Sequence, residues 1–370
     1  MSKKNIVIVG GGGAGVTAAR ALSRTLDSSK YELILINPLP YRIWLVASLR
    51  LIVTQDEALR KDIMLPFDKV FVNGKGKFVE GTVTSIDPTK DASSVTLESG
   101  EKIDYHVLLL AQGASWFGPP AFPRTNDGVN EHIKTLNSQL TKAQDIVLVG
   151  GGAVGIELAG EIKDQWPEKK VTIVHGDKLL LNDTYPDKPR KAAETSLRAR
   201  GVQLVLGEFV DFAETAEVEG LSTRNGTELK NADFVVQTRG PRPNNDFVSA
   251  SLGKDSLSER GLIKIRPTLQ LANYDNIFAA GDVIEWKEQK QAAKSSIHGA
   301  LAGGNIQAFL NNGAMKPYKG TTEMIVVTNG KAAGIAYFDL LGGITLGNWL
   351  AKAAKSKTLL VSMYKGEQGY

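Results

Sequence analysis

The sequence predicts an α/β protein with two three-layer domains, followed by a small α+β domain at the C-terminal end. At roughly 100–200 residues per domain, a chain of 370 residues is long enough for two or three domains. The same succession of strand, glycine turn and helix occurs twice, first from residue 5 and again from residue 145. After residue 316 the chain carries strand-like runs and one short helix candidate, which predict the smaller domain.

Composition limits the classes of function. Hydrophobic residues make up 42% of the chain and charged residues 23%, which excludes a disordered protein. The net charge of +4, from 44 basic and 40 acidic residues, is too small for a nucleic-acid-binding protein. Because the chain has no cysteine and only four well-separated histidines, we expect no disulfide, no thiol redox relay and no metal site. Any electron transfer must then use a bound organic cofactor.

No targeting segment is recognisable in the sequence. The start, Met1–Asn5, leads directly into an apolar run, without the hydrophobic region of a signal peptide. Ser2 follows the initiator, which excludes N-myristoylation because that acyl chain is attached to an N-terminal glycine. No stretch reaches the ~18–20 apolar residues that a membrane-spanning helix needs. These features predict a cytoplasmic protein.

The first repeated unit has the pattern of a dinucleotide-binding fold. Asn5–Val9 is predicted as a buried parallel strand, Val16–Leu26 as a helix and Tyr31–Ile36 as the next strand. Between the first strand and the helix stands the run Gly10-Gly11-Gly12-Gly13-Ala14-Gly15. In such a turn the first glycine allows a sharp bend, the second lets a pyrophosphate approach, and the third lets helix pack on strand. The helix N-terminus then faces the phosphate charge.

The second unit repeats this pattern. The strand Asp145–Val149 leads into Gly150-Gly151-Gly152-Ala153-Val154-Gly155, and the helical stretch Ile156–Lys163 and the strand Lys170–Val174 follow. One glycine turn of this kind also occurs in plain strand-turn-helix connections. Two copies, with Gly15 and Gly155 lying 140 residues apart, indicate two Rossmann-like nucleotide-binding domains. We therefore expect two dinucleotides, FAD and NAD(P)H.

A third strand end carries an acid. Ile277–Ala280 is predicted as a strand that ends in Gly281-Asp282, before a helical pattern from about Ala292 to Leu310. A carboxylate at such a strand end can bind a ribityl hydroxyl, although a Gly-Asp pair also occurs in ordinary turns. Between the two units we expect a buried strand at Tyr105–Leu110 and antiparallel strands at Lys77–Ile86 and Ser94–Leu97 around a turn at Lys90-Asp91. Crossovers between the domains are expected at Gly113–Pro123 and Arg239–Pro243. In the tail we expect strands at Glu323–Thr328 and Gly334–Phe338 and a helix at Leu346–Lys355.

The order of these motifs resembles a known family. The first glycine run, Ala111-Gln112-Gly113, the second glycine run with Glu157 and Ala159, and Ala280-Gly281-Asp282 follow one another as in flavoproteins with two dinucleotide-binding domains. The stretches 167–175 and 354–360 are similar to the apoptosis-inducing-factor-like, ferroptosis-suppressor branch, including its fungal members. The resemblance covers essentially the whole chain. It implies an FAD-dependent NAD(P)H:quinone oxidoreductase.

The resemblance also implies how the chain is divided. Residues 1–115 and 244–312 would form an FAD-binding domain, interrupted by an NAD(P)H-binding domain at residues 116–243. Residues 313–370 would form a C-terminal cap that contributes to the quinone site. The fold class is then two interleaved Rossmann-like three-layer domains with a small α+β domain.

Position by position, the resemblance assigns the FAD site to Gly11–Gly15, Arg50, Val83, Gly113 and Asp282. Arg50 would lie near the pyrophosphate and Val83 would contact the adenine through its backbone. A solvated surface arginine and a valine of the sheet core are the alternatives.

Three positions depart from the family pattern. Asn37 stands where an acid usually holds the FAD ribose, and Gln112 replaces a threonine. His175 occupies the corresponding strand end of the second unit. Without a carboxylate there to repel a 2′-phosphate, we expect NADPH to be accepted beside NADH, with Lys178 assisting.

Two residues are implied to act in catalysis. Glu157 would lie near the nicotinamide carboxamide, and Lys355 near the flavin and the quinone, where a cation stabilises developing negative charge. The alternatives are a helix-dipole acid and a solvated lysine. His298 falls near the expected flavin ring, but a packed helix histidine is the simpler interpretation. Seven apolar residues of the tail are expected to form the wall of the quinone site, and the alternative is that they cap the FAD domain's core. They are Phe338, Leu340, Leu341, Ile344, Leu346, Trp349 and Leu350.

Two other functions fit the same sequence. A reductase of a small electron-carrier protein would need a basic docking face, which a net charge of +4 permits. A redox-sensing scaffold would bind NADH without rapid turnover. A disulfide reductase is excluded because the chain has no cysteine. The sequence leaves open a homodimer and a weak, salt-sensitive contact of the basic, apolar tail with an anionic membrane.

Overall fold

The structure, a computed structural model, describes residues 3–89, 92–211 and 214–370. The turn expected at Lys90-Asp91 and the first two residues therefore lie outside the described residues. Two five-stranded sheets form the framework, and we call them the N-terminal sheet and the central sheet.

The N-terminal sheet is parallel throughout. Its middle strand pairs with neighbours on both sides, so that Val9 lies beside Ile36 on one side and Leu110 on the other. One edge strand comes from much later in the chain, which returns to this sheet after building the central sheet. In spatial order the strands are Ile277–Ala279, Val107–Leu110, Lys4–Val9, Tyr31–Asn37 and Lys77–Glu80.

The central sheet repeats this plan. Its middle strand, Asp145–Val149, is buried along most of its length, as expected for a parallel strand covered on both faces. The spatial order is Gln203–Leu206, Lys170–His175, Asp145–Val149, Phe234–Gln237 and Ala216–Glu217, and only the last strand is antiparallel. The predicted fold class of two interleaved three-layer domains is confirmed, whereas the domain boundaries at 115, 243 and 312 stay predictions.

The smaller strands build hairpins and two further sheets. The C-terminal sheet is antiparallel and consists of Met324–Asn329, Ala333–Phe338 and Ile344–Leu346. The other strands are Val83–Asp87, Ser94–Leu97 and Lys102–Asp104 in one sheet, and the pairs Tyr41–Ile43 with Met64–Pro66, Leu221–Ser222 with Glu228–Leu229, and Ala114–Ser115 with Arg242–Pro243. The last pair joins the two expected crossovers, so both connections between the large sheets run side by side.

Ten α-helices cover the sheets in the described residues. They occupy Gly13–Thr25, Leu45–Thr54, Glu57–Ile63, Asn126–Lys142, Ala153–Gln165, Asp187–Arg198, Asp246–Leu252, Ala292–Leu310, Asn348–Ala351 and Val361–Gln368. Among the described residues, no helix has the length and apolar character needed to cross a membrane.

Two expected elements differ from the structure. The run Lys77–Ile86 is two strands rather than one, because the chain turns at Gly81, whose N–H donates to the Asn37 carbonyl. In the tail, Leu346 belongs to a strand, so the helix begins only at Asn348 and continues from Lys352 to Ser356 as a wider π-type turn.

From Met324 onward the tail packs with the central sheet, whereas Tyr318 is buried in the core of the N-terminal sheet. Val327, Leu359 and Tyr364 are buried in the same core as the middle strand of the central sheet. The helix Leu45–Thr54 joins this core, so a segment that follows the first strands crosses to the second domain. None of the seven apolar residues expected between Phe338 and Leu350 is part of the N-terminal sheet's core, so the alternative that they cap the FAD domain's core is wrong. This packing brings the tail to the edge of both sheets where the glycine turns lie.

Candidate cofactor and active site

A cavity of about 1050 Å³ opens at the glycine turns of both large sheets. Ligands of open α/β sheets bind at this edge, beyond the carboxyl ends of the strands. The cavity brings together most of the residues that the sequence singled out. Its lining includes Gly10, Gly11, Gly12, Gly13, Ala14, Asn37, Gly113, Gly150, Gly152, Glu157, His175, Asp282 and Lys355.

The first glycine run has the geometry of a phosphate cradle. Gly10 has φ +102°, and a Cβ there would lie 2.4 Å from the Ala111 carbonyl oxygen. A Cβ on Gly15 would lie 1.8 Å from the Gly10 oxygen, so Gly15 lets the helix pack against the turn. Gly12, in contrast, faces open space. A tight turn, an open approach and close packing are the three requirements of a bound pyrophosphate.

The second glycine run has the same geometry. Gly150 has φ +126°, and a Cβ there would lie 2.7 Å from the Thr238 oxygen. A Cβ on Gly155 would come within 2.0 Å of the Gly150 oxygen, whereas Gly152 faces open space. Neither Gly15 nor Gly155 lines the cavity, because each supports its turn from behind. Two dinucleotides therefore fit the residues present.

The two unusual strand-end residues have equivalent roles. The Asn37 side-chain oxygen accepts from the Gly11 N–H at 2.9 Å, and its amide donates to the Leu39 carbonyl. In the second unit, His175 Nδ1 accepts from the Gly151 N–H at 3.1 Å, and Nε2 lies 3.1 Å from the Leu181 carbonyl oxygen. This arrangement requires a neutral imidazole with its proton on Nε2. Both side chains thus hold their glycine turns, and His175 brings no negative charge to the strand end.

Arg50 does not lie at the cavity, contrary to the expectation of a pyrophosphate contact. Its guanidinium donates to both carboxylate oxygens of Glu161, at 2.8 and 2.9 Å, and to the Ser356 carbonyl. Burial raises the pKa of Glu161, and the hydrogen bonds and charge of Arg50 oppose that shift. The Arg50 charge therefore links the helix Leu45–Thr54 to the second domain and the tail.

Arg42 is the cation that stands beside the first glycine run. A Cβ on Gly13 would lie 3.3 Å from Arg42 Nη2, so the guanidinium is close to the start of the first helix. The Arg42 guanidinium stacks on the rings of Trp44 and Tyr364 and pairs with Glu367 at 2.9 Å. Sequence reasoning missed it, because its partners at residue 364 and beyond are remote in sequence. Its position five residues after Asn37, at the end of the second strand, was the signal that could have placed it near the first glycine run.

Val83 and Asp282 lie in different surroundings. Val83 is buried beside the N-terminal sheet and does not line the cavity, which fits the alternative of a sheet-core valine. Asp282 does line the cavity, and Ser295 Oγ donates to its Oδ1 at 3.3 Å. Burial raises the pKa of Asp282, while the nearby charge of Lys290 opposes the shift. A partly buried acceptor therefore faces the cavity beside the first glycine turn.

His298 is a packed helix residue behind this strand end. Its Nδ1 accepts from the Gly281 N–H at 3.3 Å, and its Nε2 lies 2.9 Å from Glu288 Oε1. The side chains of His298 and Glu288 are only 2% and 3% exposed. His298 therefore supports the turn at Gly281 and does not contact the cavity.

Glu157 and Lys355 meet at the cavity wall. Lys355 Nζ lies 2.5 Å from Glu157 Oε1 and donates to the Val326 carbonyl at 3.0 Å. The same carboxylate oxygen accepts from the Thr328 N–H at 3.1 Å. An acid on the second glycine-turn helix and a lysine of the tail thus form one ion pair. Their meeting could not be derived from the sequence, because 198 residues separate them.

The apolar wall beside Lys355 differs from the expected one. None of Phe338, Leu340, Leu341, Ile344, Leu346, Trp349 and Leu350 lines the cavity. The wall is built instead by Met324, Ile325, Val326, Leu360 and Met363. The expected residues lie on the last two strands of the C-terminal sheet, the turn between them and the helix Asn348–Ala351, with Leu341 99% and Trp349 81% exposed.

Gln112 completes the cavity near the crossover. Its Nε2 donates to Asn245 Oδ1 at 2.9 Å, which anchors the amide. Its Oε1 is buried and has no hydrogen-bond partner in the described structure. A buried acceptor of this kind is costly unless a ligand donor reaches it. The Gln112 side chain lines the cavity, but its unpaired oxygen points away from the open space.

Comparison with known proteins decides the family. Residues 4–301 match the profile of the pyridine nucleotide-disulphide oxidoreductases. The chain belongs to this family. Its cofactors are FAD and NAD(P)H, which agrees with the two glycine cradles on one cavity. The chain has no cysteine, so the disulfide chemistry in the family's name does not come from its own thiols.

Relatives within the family narrow the assignment. A protein of Flammulina velutipes named FAD-dependent oxidoreductase FVFD30 is 41% identical over 312 residues, which cover 84% of this chain and 97% of that protein. Ferroptosis suppressor protein 1 of Taeniopygia guttata is 30% identical, with 96% of this chain and 94% of that protein covered. Apoptosis-inducing factor homolog B of Dictyostelium discoideum is 28% identical, with 98% and 96% covered. The predicted resemblance to this oxidoreductase branch is confirmed.

Two solved structures of other oxidoreductases share the fold. The sulfide:quinone oxidoreductase of Aquifex aeolicus superposes with a TM-score of 0.77 at 21% identity, covering 99% of this chain and 92% of that one. The ferredoxin reductase of Rhodopseudomonas palustris gives 0.72 at 19% identity, with 94% and 91% covered. At these identities the likeness concerns the fold alone.

Proposed function

We propose that this pyridine nucleotide-disulphide oxidoreductase transfers a hydride from NAD(P)H to FAD and passes two electrons on to a quinone. The observation that carries the proposal is the Lys355–Glu157 pair at the cavity wall, beside five apolar side chains of the tail. FAD, when bound, supplies the chemistry that accepts a hydride and releases two electrons. A quinone is largely apolar, with two oxygens that become negative on reduction. An apolar wall with a single cation suits it.

In this proposal Glu157 binds the nicotinamide and Lys355 binds the quinone. Glu157 Oε1 is engaged by Lys355 and by the Thr328 N–H. Its described contacts use only this oxygen, and the other oxygen is available to orient a nicotinamide amide. Lys355 is held in place by Glu157 and the Val326 carbonyl, which fixes its ammonium at the cavity. A positioned cation stabilises charge on a quinone oxygen and can deliver a proton to it.

We further propose that the outer face of the C-terminal sheet rests on a membrane that supplies the quinone. We call this surface the apolar tip, defined by Leu340, Leu341, Ile344, Leu346 and Trp349. Eleven large hydrophobic side chains are exposed in the described residues, and five of them fall in this ten-residue stretch. Met324 of the cavity wall lies opposite Phe338, which lies opposite Ile344 of the tip, so an apolar row crosses the sheet from cavity to tip.

Charge near the apolar tip favours an anionic lipid surface. Lys352 and Lys357, which follow the tip in sequence, are exposed, and Asp339 is the exposed acid in residues 339–357. Exposed Trp and Leu beside lysines are typical of segments that lie in a bilayer interface. The occupant that fits is therefore a bilayer surface containing anionic lipids.

A steady-state assay of the FAD-loaded protein tests the function. With NADH as donor, a short-chain ubiquinone should be reduced with saturable, ping-pong kinetics. A small ferredoxin or rubredoxin should be reduced much more slowly, because the proposed acceptor site beside Lys355 lies inside the cavity and suits a small apolar molecule. Fast turnover with the carrier protein and slow turnover with the quinone would support a carrier-protein reductase instead. Slow reoxidation by every acceptor would indicate a redox-sensing scaffold.

A further inference from the structure

The His175 strand end is where a dinucleotide-binding fold presents its ribose contact. Here both imidazole nitrogens are already engaged, by the Gly151 N–H and the Leu181 carbonyl. His175 therefore has no free donor for a ribose hydroxyl or a 2′-phosphate. The adenosine half of NAD(P)H must be recognised by other residues at this end of the cavity.

Phe209 offers a flat apolar surface at this strand end. A Cβ on Gly176, the residue after His175, would come within 2.4 Å of the Phe209 ring, so the ring lies directly against that glycine. The backbone fixes this contact, because the Glu208 N–H donates to the His175 carbonyl at 3.1 Å. Phe209 lines the cavity and is still 53% exposed. An exposed aromatic ring in a cavity is a stacking surface for a base.

The Arg224 guanidinium lies over the Phe209 ring and forms an ion pair with Asp211. The guanidinium carbon lies 5.3 Å from the centroid of the Phe209 ring. Arg224 Nε lies 2.8 Å from one carboxylate oxygen of Asp211 and 2.9 Å from the other. The Arg224 N–H also donates to the Phe209 carbonyl at 2.8 Å. All three side chains line the cavity, and both charged side chains are more than half exposed.

The other charges at this end do not replace Arg224. Asp177, two residues beyond His175, also lines the cavity and adds a second negative charge. The Glu208 carboxylate accepts from the Thr223 and Thr227 hydroxyls and is thereby turned toward their hairpin. Lys178 does not line the cavity, and Arg239 lines it beside Phe117 rather than Phe209. Arg224 is therefore the cation that can reach a 2′-phosphate beside the Phe209 ring.

We infer that Phe209, Asp211 and Arg224 form an adenosine-binding patch that sets the choice between NADH and NADPH. The inference rests on NAD(P)H oxidation at the second glycine turn and deepens it. Phe209 stacks on the adenine of either dinucleotide. Arg224 binds the 2′-phosphate of NADPH, and Asp211 limits this preference because its carboxylate already neutralises the guanidinium. A bidentate arginine–carboxylate pair competes directly with a bidentate arginine–phosphate pair.

Equilibrium binding to the FAD-loaded protein tests the patch without turnover. The probes are ADP-ribose and its 2′-phosphate, measured by isothermal titration calorimetry. Asp211→Asn should tighten binding of the 2′-phosphate about tenfold and leave ADP-ribose nearly unchanged, whereas Arg224→Gln should weaken the 2′-phosphate by about the same factor. Phe209→Ala should weaken both probes about tenfold, since stacking is lost for each. The ratio of kcat/KM for NADPH and NADH should follow the binding ratio.

The control variant is Lys191→Gln. Lys191 pairs with Asp187 on a helix of the same domain, and its pair is about as exposed as that of Arg224, but it does not line the cavity. It removes the same charge and should leave both affinities unchanged. If Arg224→Gln and Lys191→Gln have the same effect, or if Asp211→Asn leaves the probe ratio unchanged, the inference is wrong. Absence of NAD(P)H oxidation with normal probe binding would instead contradict the proposed function.

Discussion

At the residue scale, one ion pair connects the two chemistries proposed for the cavity. Glu157 belongs to the helix of the second glycine turn, and Lys355 belongs to the tail beside the apolar wall. Their side chains are about a tenth exposed, so the pair is largely shielded from water yet reaches the cavity. Each partner neutralises the other in the absence of substrate. A substrate that binds to Glu157 or Lys355 therefore weakens the ion pair and leaves the other side chain less neutralised.

The first prediction separates the two half-reactions. Lys355→Ala should slow reoxidation of the reduced holoenzyme by quinone at least about tenfold, because a positioned charge at the quinone oxygen is lost. Flavin reduction by NADH should change less. Stopped-flow absorbance measures each half-reaction alone. Lys352→Ala, an exposed lysine on the same turn, is the control. If both variants match the wild type with quinone, Lys355 has no role in that step.

The second prediction concerns Asp282, which is partly buried at the cavity. Because burial raises the pKa of this carboxyl, its ionised form costs stability in the fold, and the cost appears as pH rises above the usual value near 3.8. Asp282→Asn should raise the Tm of the apoprotein at neutral pH, by roughly 2–4 °C per kcal/mol. The gain should shrink as pH falls toward 4. Flavin binding should weaken, since a buried hydrogen bond is worth ~1–3 kcal/mol.

Differential scanning calorimetry of the apoprotein and flavin absorbance per chain are the two measurements. An Asn variant that is less stable at neutral pH and keeps its full flavin content would contradict this role of Asp282.

At the scale of elements, local motifs were predictable and long-range partners were not. The glycine turns, their strands and the helix Ala292–Leu310 follow from short-range spacing, and the structure contains them. Arg50 and Arg42 show what sequence spacing cannot predict. Both follow the Asn37 strand end closely in sequence, but their surroundings depend on Glu161 and Glu367, which tertiary packing brings near. Likewise, alternation of apolar residues could not tell the cavity wall from the apolar tip.

The third prediction distinguishes these two arginines. Arg50→Gln leaves the buried Glu161 carboxylate without its partner, which should cost about 3–5 kcal/mol of unfolding free energy. The flavin content of the folded fraction should stay normal. Arg42→Gln should instead lower flavin affinity, because Arg42 lines the cavity beside the first glycine run. Denaturant unfolding and flavin titration measure the two effects.

The double variant Arg50→Met/Glu161→Leu is the control for the third prediction. It removes both charges and should recover much of the lost stability. Loss of flavin from Arg50→Gln without loss of stability would return Arg50 to the cofactor site.

At the scale of the whole molecule, the tail ties the two large domains to one surface. It packs in the core of the central sheet, places Lys355 at the cavity and exposes the apolar tip on its outer side. The row Met324, Phe338 and Ile344 joins the cavity wall to that tip. In the proposed function, the quinone would therefore pass along one face of this small sheet from the membrane to the cavity.

The fourth prediction concerns the apolar tip. Leu341→Ser and Trp349→Ala should each weaken binding to phosphatidylcholine–phosphatidylserine vesicles about tenfold, since a buried large side chain is worth ~1.5–3 kcal/mol. Binding should fall as salt rises. Ile297→Ser removes a large side chain that is 46% exposed on another helix and should have no effect. Vesicle sedimentation and light scattering provide the readouts. Unchanged vesicle binding with conversion of a dimer to a monomer would make the tip an interface between copies.

A single-turnover experiment on the FAD-loaded protein without oxygen tests the proposed electron transfer to quinone directly. NADH should bleach the flavin absorbance in the first mixing step. A short-chain ubiquinone should restore it in the second, with a rate that saturates in quinone and with one quinol formed per flavin. A reduced protein that stays reduced in the presence of quinone, but is reoxidised by an electron-carrier protein or by no acceptor, would contradict the account.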